Sequence, residues 1–446
     1  MNRLKRFITS RRVVISLIGV AVLELLVGVF FPQRFLTPPA TLAAWYAAHP
    51  FLERLAGPLG LDHLYTSPLF SLTILLFSIS LAVSSYDQFG KAWRLTFGPP
   101  AATAGDFLAV RHGEAAVSSL MRAKGYWRMF GDEQVQRFVR HPWGYWGRFL
   151  LHLGMVLVIV AALTVFLTMK RGLVELYEGQ VFTPADALAV AETGLLAERL
   201  RLPVAVRMAS IVTEFWETGD LKQLATVLEF GESGGAIREQ RLAINETIRY
   251  KGLQVYQSPT AGRAFFLEFV EANGKRHREI LMLPRPLKKD AAGYRDFVFP
   301  WLLSRLQTKY YADVGKESLD SERPLFVLRL AADDEKPAEL SLAPGASGTL
   351  GPYQVRLSRT ENWAGVIFVE ESGMAGVFFG FFVIILGATL IYCTPPRDVV
   401  LRRSGDGCLI GWTAARFAGF YQGEMQELIR ALGEAGRNHS AKGNNE

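Results

Sequence analysis

The sequence predicts an integral membrane protein of about four transmembrane α-helices with a large extracytoplasmic β-rich domain between the third and the fourth. Three observations predict it. Four near-continuous apolar runs cover 13–31, 68–86, 147–169 and 374–393, each close to the roughly 20 residues a helix needs to cross the hydrocarbon core. Lys and Arg are spread unevenly over the segments between those runs. After the third run the hydrophobic period changes from helical to alternating.

Taken in order, the tail 1–12 carries five Lys and Arg, the loop 87–146 eight and the tail 394–446 seven, whereas the loop 32–67 holds only Arg34 and Arg54. By the positive-inside rule the three basic segments are cytoplasmic. The loop 32–67 and the domain 170–373 are then extracytoplasmic. The first run reads as a retained anchor, being too long for a signal-peptide core and followed by "FFPQRFLTPPA", which offers no small-x-small cleavage site. The net charge of +7 follows from this topology, because 170–373 holds 26 basic and 28 acidic residues. No basic stripe for a polyanion is present, and no nucleic-acid partner is expected. The two cysteines, Cys393 and Cys408, fall at the inner end of the last span and in the tail after it. The domain 170–373 must therefore hold together by its core, and the absence of CxxC and CxxCH excludes a dithiol redox protein and a c-type cytochrome.

Within 170–373, "LAVAETGLLAERLRL" reads as a short helix. The segments "PVAVRMASIVTEFW", "LATVLEF", "FFLEFVEA", "HREILML", "LFVLRL", "YQVRLSR" and "GVIFVEE" read as short strands, rich in β-branched and aromatic residues and separated by turn signals. The clearest hairpin is "FFLEFVEANGKRHREILML", where Asn273-Gly274 suits a type I′ turn with both residues at positive φ. A sandwich or distorted barrel is the expected architecture.

Polar residues inside apolar runs are the candidate site. His152 lies one helical turn after Arg148 in the third run, roughly 6 Å inside the boundary. An ionisable group at such a position marks a functional site by default, neutral imidazole is a ligand for haem iron, and Gly154 leaves room for a flat partner. The bland alternative is a histidine bonded to a neighbouring helix or snorkelling to the interface. Glu24, deep in the first run, can pair with His152 or Arg148, relay a proton, or stay protonated and bond a serine of the second span. Gly376-x-x-x-Gly380 reads as a helix-packing device. His277, in "GKRHRE", reads as part of an exposed charged strand, and His49 and His63 as surface residues beside Trp45, Tyr46 and Tyr65. His112, His141 and His439 fall in the cytoplasmic segments with no partner assigned.

Several segments carry a family resemblance. "INETIRYKGLQVYQSP" (244–259) resembles the stretch of the ResB-like cytochrome c biogenesis proteins of System II in which an Asn precedes a Tyr-x-Gly turn and Tyr-Gln-Ser. "FFPQ" is similar to the family's exit from the first span and "LDHLYTSPLF" to its entry into the second. "GRFLLHLGMVLVIVAAL" resembles its third span, "LVELYEGQVF" the Glu-Gly turn that follows, and "TPPRDVVL" the C-terminal exit. The chain departs from the family at the second-span exit, "VSSYDQFGKAWR" in place of a Cys and an Arg, and before the last span, "EESGM" in place of acidic-Pro-Gly.

The resemblance implies a subunit of a cytochrome c maturation complex in the bacterial plasma membrane. It carries haem across the membrane and presents it for covalent attachment to apocytochrome c, as an accessory subunit of a haem lyase with no catalytic residue assigned here. The implied cofactor is haem b, held transiently with His152 as an axial iron ligand and Arg148 at the propionates. The implied partners are a CcsA-type membrane protein that shares the haem, apocytochrome c and thiol-reducing assembly proteins. A membrane-anchored scaffold that recognises partners through its outer domain is the alternative, and a transporter using Glu24 as a proton site is a third reading.

Overall fold

The computed structural model describes residues 2–100, 107–110, 114–231, 235, 237–302, 304–330, 337–404 and 407–442. His112 lies outside the described residues. Two compact units emerge, one of Met1–Pro32, His49–Leu167 and Ser372–Glu446, the other of Gln33–Ala48 and Thr168–Glu371.

The first unit contains four helices long and apolar enough to cross a membrane: Arg11–Phe30, Pro68–Phe97, Pro142–Thr168 and Met374–Cys393. Their starts are set by local chemistry. Ser10 caps the first by accepting the Val13 N–H at 3.4 Å, and Ser67 caps the second by accepting the Phe70 N–H at 3.2 Å with Pro68 in the first turn. The second helix continues through "DQFGKAWRLTF" to Phe97. A short helix before the first span, Asn2–Ile8, is tied to the second: Ser80 donates to the Ile8 carbonyl at 2.9 Å, and Lys5 pairs with Asp87.

The third and fourth helices pack through small residues spaced seven apart. A Cβ on Gly154 would lie 2.9 Å from the Gly380 carbonyl oxygen and 2.7 Å from the Ile384 nitrogen, and one on Gly147 would lie 2.8 Å from the Gly387 oxygen. Gly376 faces Ala161 in the same seam, with its built Cβ 3.0 Å from that methyl. Close backbone approach of this kind is how apolar helices associate where no hydrophobic force separates protein from lipid. The Gly376/Gly380 packing role therefore holds. Gly154 does not leave room for a flat partner, because the fourth helix fills that space.

Residues 87–146 and 394–446, expected as a loop and a tail, supply a further layer to this unit. Five antiparallel strands lie in the order Phe107–Val110, Gly407–Ala414, Arg397–Ser404, Val135–Arg140 and Trp127–Gly131. Two amphipathic helices, Glu114–Ala123 and Gln422–Lys442, share a core with this sheet through Val117, Met121, Phe138, Val399, Leu401 and Leu428.

The second unit is β-rich and built on two long strands, Leu253–Val270 and Tyr353–Glu370, paired antiparallel. These correct the reading of short separate strands: "YQVRLSR" and "GVIFVEE" are one strand, as are "LQVYQSP" and "FFLEFV". Pro259, which cannot donate to a ladder, is tolerated because the register shifts between Gln257 and Ala261. A sheet containing strands Val206–Phe215 and Leu221–Gly231 shares one core with the outer ends of the pair, around Leu176, Met208, Leu228, Phe230, Val255 and Phe368. The sheet from Gly293–Phe297 to Ala338–Leu342 shares a second core with the other half, around Phe265, Phe269, Leu281, Phe326 and Leu357. Each such side chain stabilises the fold by about 1.5–3 kcal/mol relative to exposure.

Two further expectations fail here. "LAVAETGLLAERLRL" forms a strand over Val190–Thr193 followed by turns, not a helix, because pairing to Lys170–Tyr177 overrides its periodicity. In the 270–276 hairpin only Gly274 has positive φ, at 83°, and its N–H bonds the Glu271 carbonyl at 2.9 Å. The turn is therefore the type I turn with a left-handed glycine rather than type I′.

Candidate functional site at the head of the third helix

The third helix is preceded by a tight turn, Pro142–Trp146, entered through His141 at φ 60°. From there Gly147 and Gly154 turn one face to the fourth helix, while Arg148 and His152, four residues apart, share another. His152 Nδ1 lies 2.9 Å from the Arg148 carbonyl oxygen. A carbonyl only accepts, so Nδ1 carries the proton and donates, and Nε2 keeps its lone pair. No side chain among the described residues engages Nε2, and the ring is half-exposed. A second hydrogen bond that fixes ring and tautomer is the usual outer support of a metal-ligating histidine.

Phe149, three residues before His152 and so beside it on the helix, opens an aromatic cluster with the second helix. Phe89 lies 5.3 Å from Phe149 and 5.5 Å from Trp146 between ring centroids, and Trp93 lies 6.3 Å from Trp146. Phe89 and Trp93 are both exposed. This apolar, flat-walled surface was not anticipated from sequence, although "GRF" and "FGKAW" hold its residues at helical spacing.

One turn toward the sheet layer, Arg148 lines a cavity of about 310 Å³ with Leu95, Tyr145, Ile391, Asp398 and Arg416. Asp398 contributes no free charge: Arg137 Nε binds one of its oxygens at 2.6 Å and the Tyr145 hydroxyl donates to the other. Arg148 makes no ion pair among the described residues. The cavity therefore carries an excess of positive charge next to an apolar aromatic surface.

Glu24 is elsewhere. It is 6% exposed, and its Oε1 accepts the Thr73 hydroxyl at 3.0 Å while Oε2 has no partner. The partner is a hydroxyl of the second span, but that of Thr73 rather than the expected serine, and neither His152 nor Arg148 pairs with it.

The other histidines are placed as follows. His277 is not an exposed strand residue: its side chain is 11% exposed, stacks on Trp301 at 4.1 Å and bonds Glu271 through Nε2 at 2.7 Å. His63 bonds Asp62 through Nδ1 at 2.7 Å, and His49 is exposed. His141 has a buried Nδ1 with no partner; burial and the nearby Arg397 and Arg140 hold its pKa below the usual imidazole value. Among the described residues no group of three or more His, Cys, Asp or Glu is arranged to hold a metal ion.

An aromatic surface, one open imidazole nitrogen and a basic cavity together suit a flat, apolar, iron-bearing molecule with acidic edges. The class defined by the fold is a membrane protein of four candidate spans joined to a large β-rich unit. The ResB-like family model matches residues 11–336, and the chain belongs to that family. It is similar to the cytochrome c biogenesis protein CcsB of Synechococcus sp. (strain JA-3-3Ab), with 23% identity, covering 91% of this chain and 88% of that one. It is also similar to the chloroplastic cytochrome c biogenesis protein CCS1 of Arabidopsis thaliana, with 22% identity over 56% of this chain and 46% of that one. Among solved structures, a cytochrome c haem lyase, CcmF, matches 79% of this chain and 42% of its own at 11% identity and a TM-score of 0.21, too low to support an argument.

Proposed function

We propose that this chain is the haem-handling subunit of a cytochrome c maturation complex. In this reading Arg148 and Arg416 receive the propionates of haem b at the cytoplasmic end of the helices, and the Phe89, Trp93, Trp146 and Phe149 rings cover one face of the porphyrin. His152 Nε2 supplies one axial ligand, the Nδ1 bond to the Arg148 carbonyl orienting the ring and leaving Nε2 the metal-facing nitrogen. A CcsA-type partner supplies the other ligand and the attachment site. The β-rich unit lies outside the membrane, where it docks the partner and the apocytochrome. Haem is cargo here, and this chain's own residues bind and orient it.

The observation that carries the reading is the pairing of a fixed tautomer with an unengaged Nε2 on an otherwise apolar helix. Cells lacking the chain are complemented with wild type or His152→Ala, and covalently haem-stained c-type cytochrome is measured with and without added imidazole. The expected result is a loss in the variant that imidazole restores. Wild-type levels of stained cytochrome in His152→Ala would refute the assignment.

A further inference from the structure

The β-rich unit contains a second polar pocket, built around two arginines that make no direct ion pair among the described residues. Arg263 lies on the first long strand opposite Asn362 of the second, and Arg285 follows the strand Arg276–Pro284. With Thr213, Phe215, Tyr310 and Trp363 they line a cavity of about 30 Å³. That is room for one small polar group. Among the described residues neither guanidinium makes an ion pair or a side-chain hydrogen bond.

The acidic groups around them form no direct ion pair with either arginine, although the Arg263 charge acts on the Glu178 carboxyl and Asp320 lines the pocket. Glu178 accepts the Ile211 N–H at 2.6 Å, Glu361 binds Arg359 at 2.8 Å, and Asp320 at the rim is exposed. Both arginines act on the buried Tyr310 phenol, whose pKa burial raises and their charges draw down. The Arg285 guanidinium sits 5.5 Å from the Phe215 ring centroid, and Trp363 is fixed by donating to the Leu283 carbonyl at 2.8 Å. Two half-buried cations lining one small pocket, neither of them in a direct ion pair, oppose folding. A site that needed only volume would be filled more stably by apolar side chains. Paired guanidinium forks do match the geometry of a carboxylate.

We propose that Arg263 and Arg285 form a carboxylate-binding site within the β-rich unit, which takes the acidic group of a larger ligand whose body stays outside the pocket. That the carboxylate is a tetrapyrrole propionate rests on the haem reading above; carboxylate recognition does not.

The test uses the full chain in detergent with Arg148→Gln and Arg416→Gln as the parent, so that the cavity at the head of the third helix takes no propionate, against the same parent carrying Arg263→Gln or Arg285→Gln. Each is titrated with metal-free protoporphyrin IX, its dimethyl ester and succinate, so that no iron engages His152. If the porphyrin is the source, the acid binds the parent at least about ten-fold (1.4 kcal/mol) more tightly than either variant, and the ester binds all three proteins alike. Succinate binding with the same arginine dependence, and no difference between acid and ester, keeps the carboxylate site and assigns it a small free dicarboxylate. Affinities for acid and succinate that are the same in all three proteins would overturn the proposal. Ligand-free melting provides a second readout: removing a half-buried cation that makes no direct ion pair leaves Tm unchanged or raises it. A fall in Tm in both variants would mark the arginines as structural and overturn the proposal equally.

Discussion

Glu24 and His152 both interrupt apolar helices, yet their surroundings differ in kind. Glu24 is almost fully buried between two helices and is met by a hydroxyl across the interface. His152 turns to its own backbone, leaving its second nitrogen and a half-exposed ring directed away from the fourth helix. A polar group answered from a neighbouring helix is packing. A polar group whose own helix orients it and leaves one nitrogen open has a free donor position, which the proposed haem reading uses. The comparison separates two residues that sequence alone ranks together as costly intramembrane groups.

The strongest way to break the comparison is to remove the seam against which it is defined. Gly154→Leu drives a side chain into the Gly380 and Ile384 backbone, where no rotamer relieves the clash. Overpacking in adaptable cores costs about 1–3 kcal/mol; here the loss is larger, read as absence of assembled protein in membrane fractions. Next comes His152→Ala, which leaves assembly intact and lowers haem-stained cytochrome c by about ten-fold or more, since loss of outer support alone costs a metal site about 10–100-fold.

Asp398→Asn sharpens the contrast from the stability side. It strands the Arg137 guanidinium, 5% exposed at the side chain, and unfolds the sheet layer more easily by about 3–5 kcal/mol. Differential scanning of the detergent-purified chain measures it, with His152→Ala as the unshifted control. Glu24→Gln keeps an acceptor for Thr73 and changes stability by less than about 0.6 kcal/mol, the usual size of an interhelical hydrogen bond in membranes. Its cytochrome c output equals wild type, against the loss expected if Glu24 relayed protons.

The smallest effect belongs to His141. Its folded pKa lies below the unfolded value of about 6.5, so the unfolded state binds the proton more readily. Stability is full above pH 6.5 or so and falls as pH drops through the interval down to the folded pKa. His141→Asn, a residue that tolerates the left-handed backbone at φ 60°, flattens that slope in melts run from neutral to mildly acidic pH.

How much of this was legible in the sequence depends on how local the signal is. The four apolar helices rest on uninterrupted composition, and the family on motifs such as "GRFLLHLG" and "KGLQVYQSP" that stand in one stretch each. The sheet layer was missed because its strands, Val135–Arg140 and Arg397–Ser404 among them, meet across more than 250 residues of chain, and their Lys and Arg were read as topology signals alone. The long strands were read as short pieces, since sequence does not show that a register shift between Gln257 and Ala261 absorbs Pro259 or that Thr360–Asn362 stay paired with Arg263–Phe265. His152 was legible as an exception to its helix. Its aromatic surroundings and the Arg263/Arg285 pocket were not, because they arise only when separate elements converge.

The central claim, that His152 is an open iron ligand, is tested most directly by the absorption spectrum of the purified complex with its partner. Wild type and His152→Ala are compared, each with and without imidazole. The account predicts a b-type haem spectrum in wild type that is lost or altered in the variant and restored by imidazole. A variant spectrum identical to wild type would contradict it and leave His152 a packing residue.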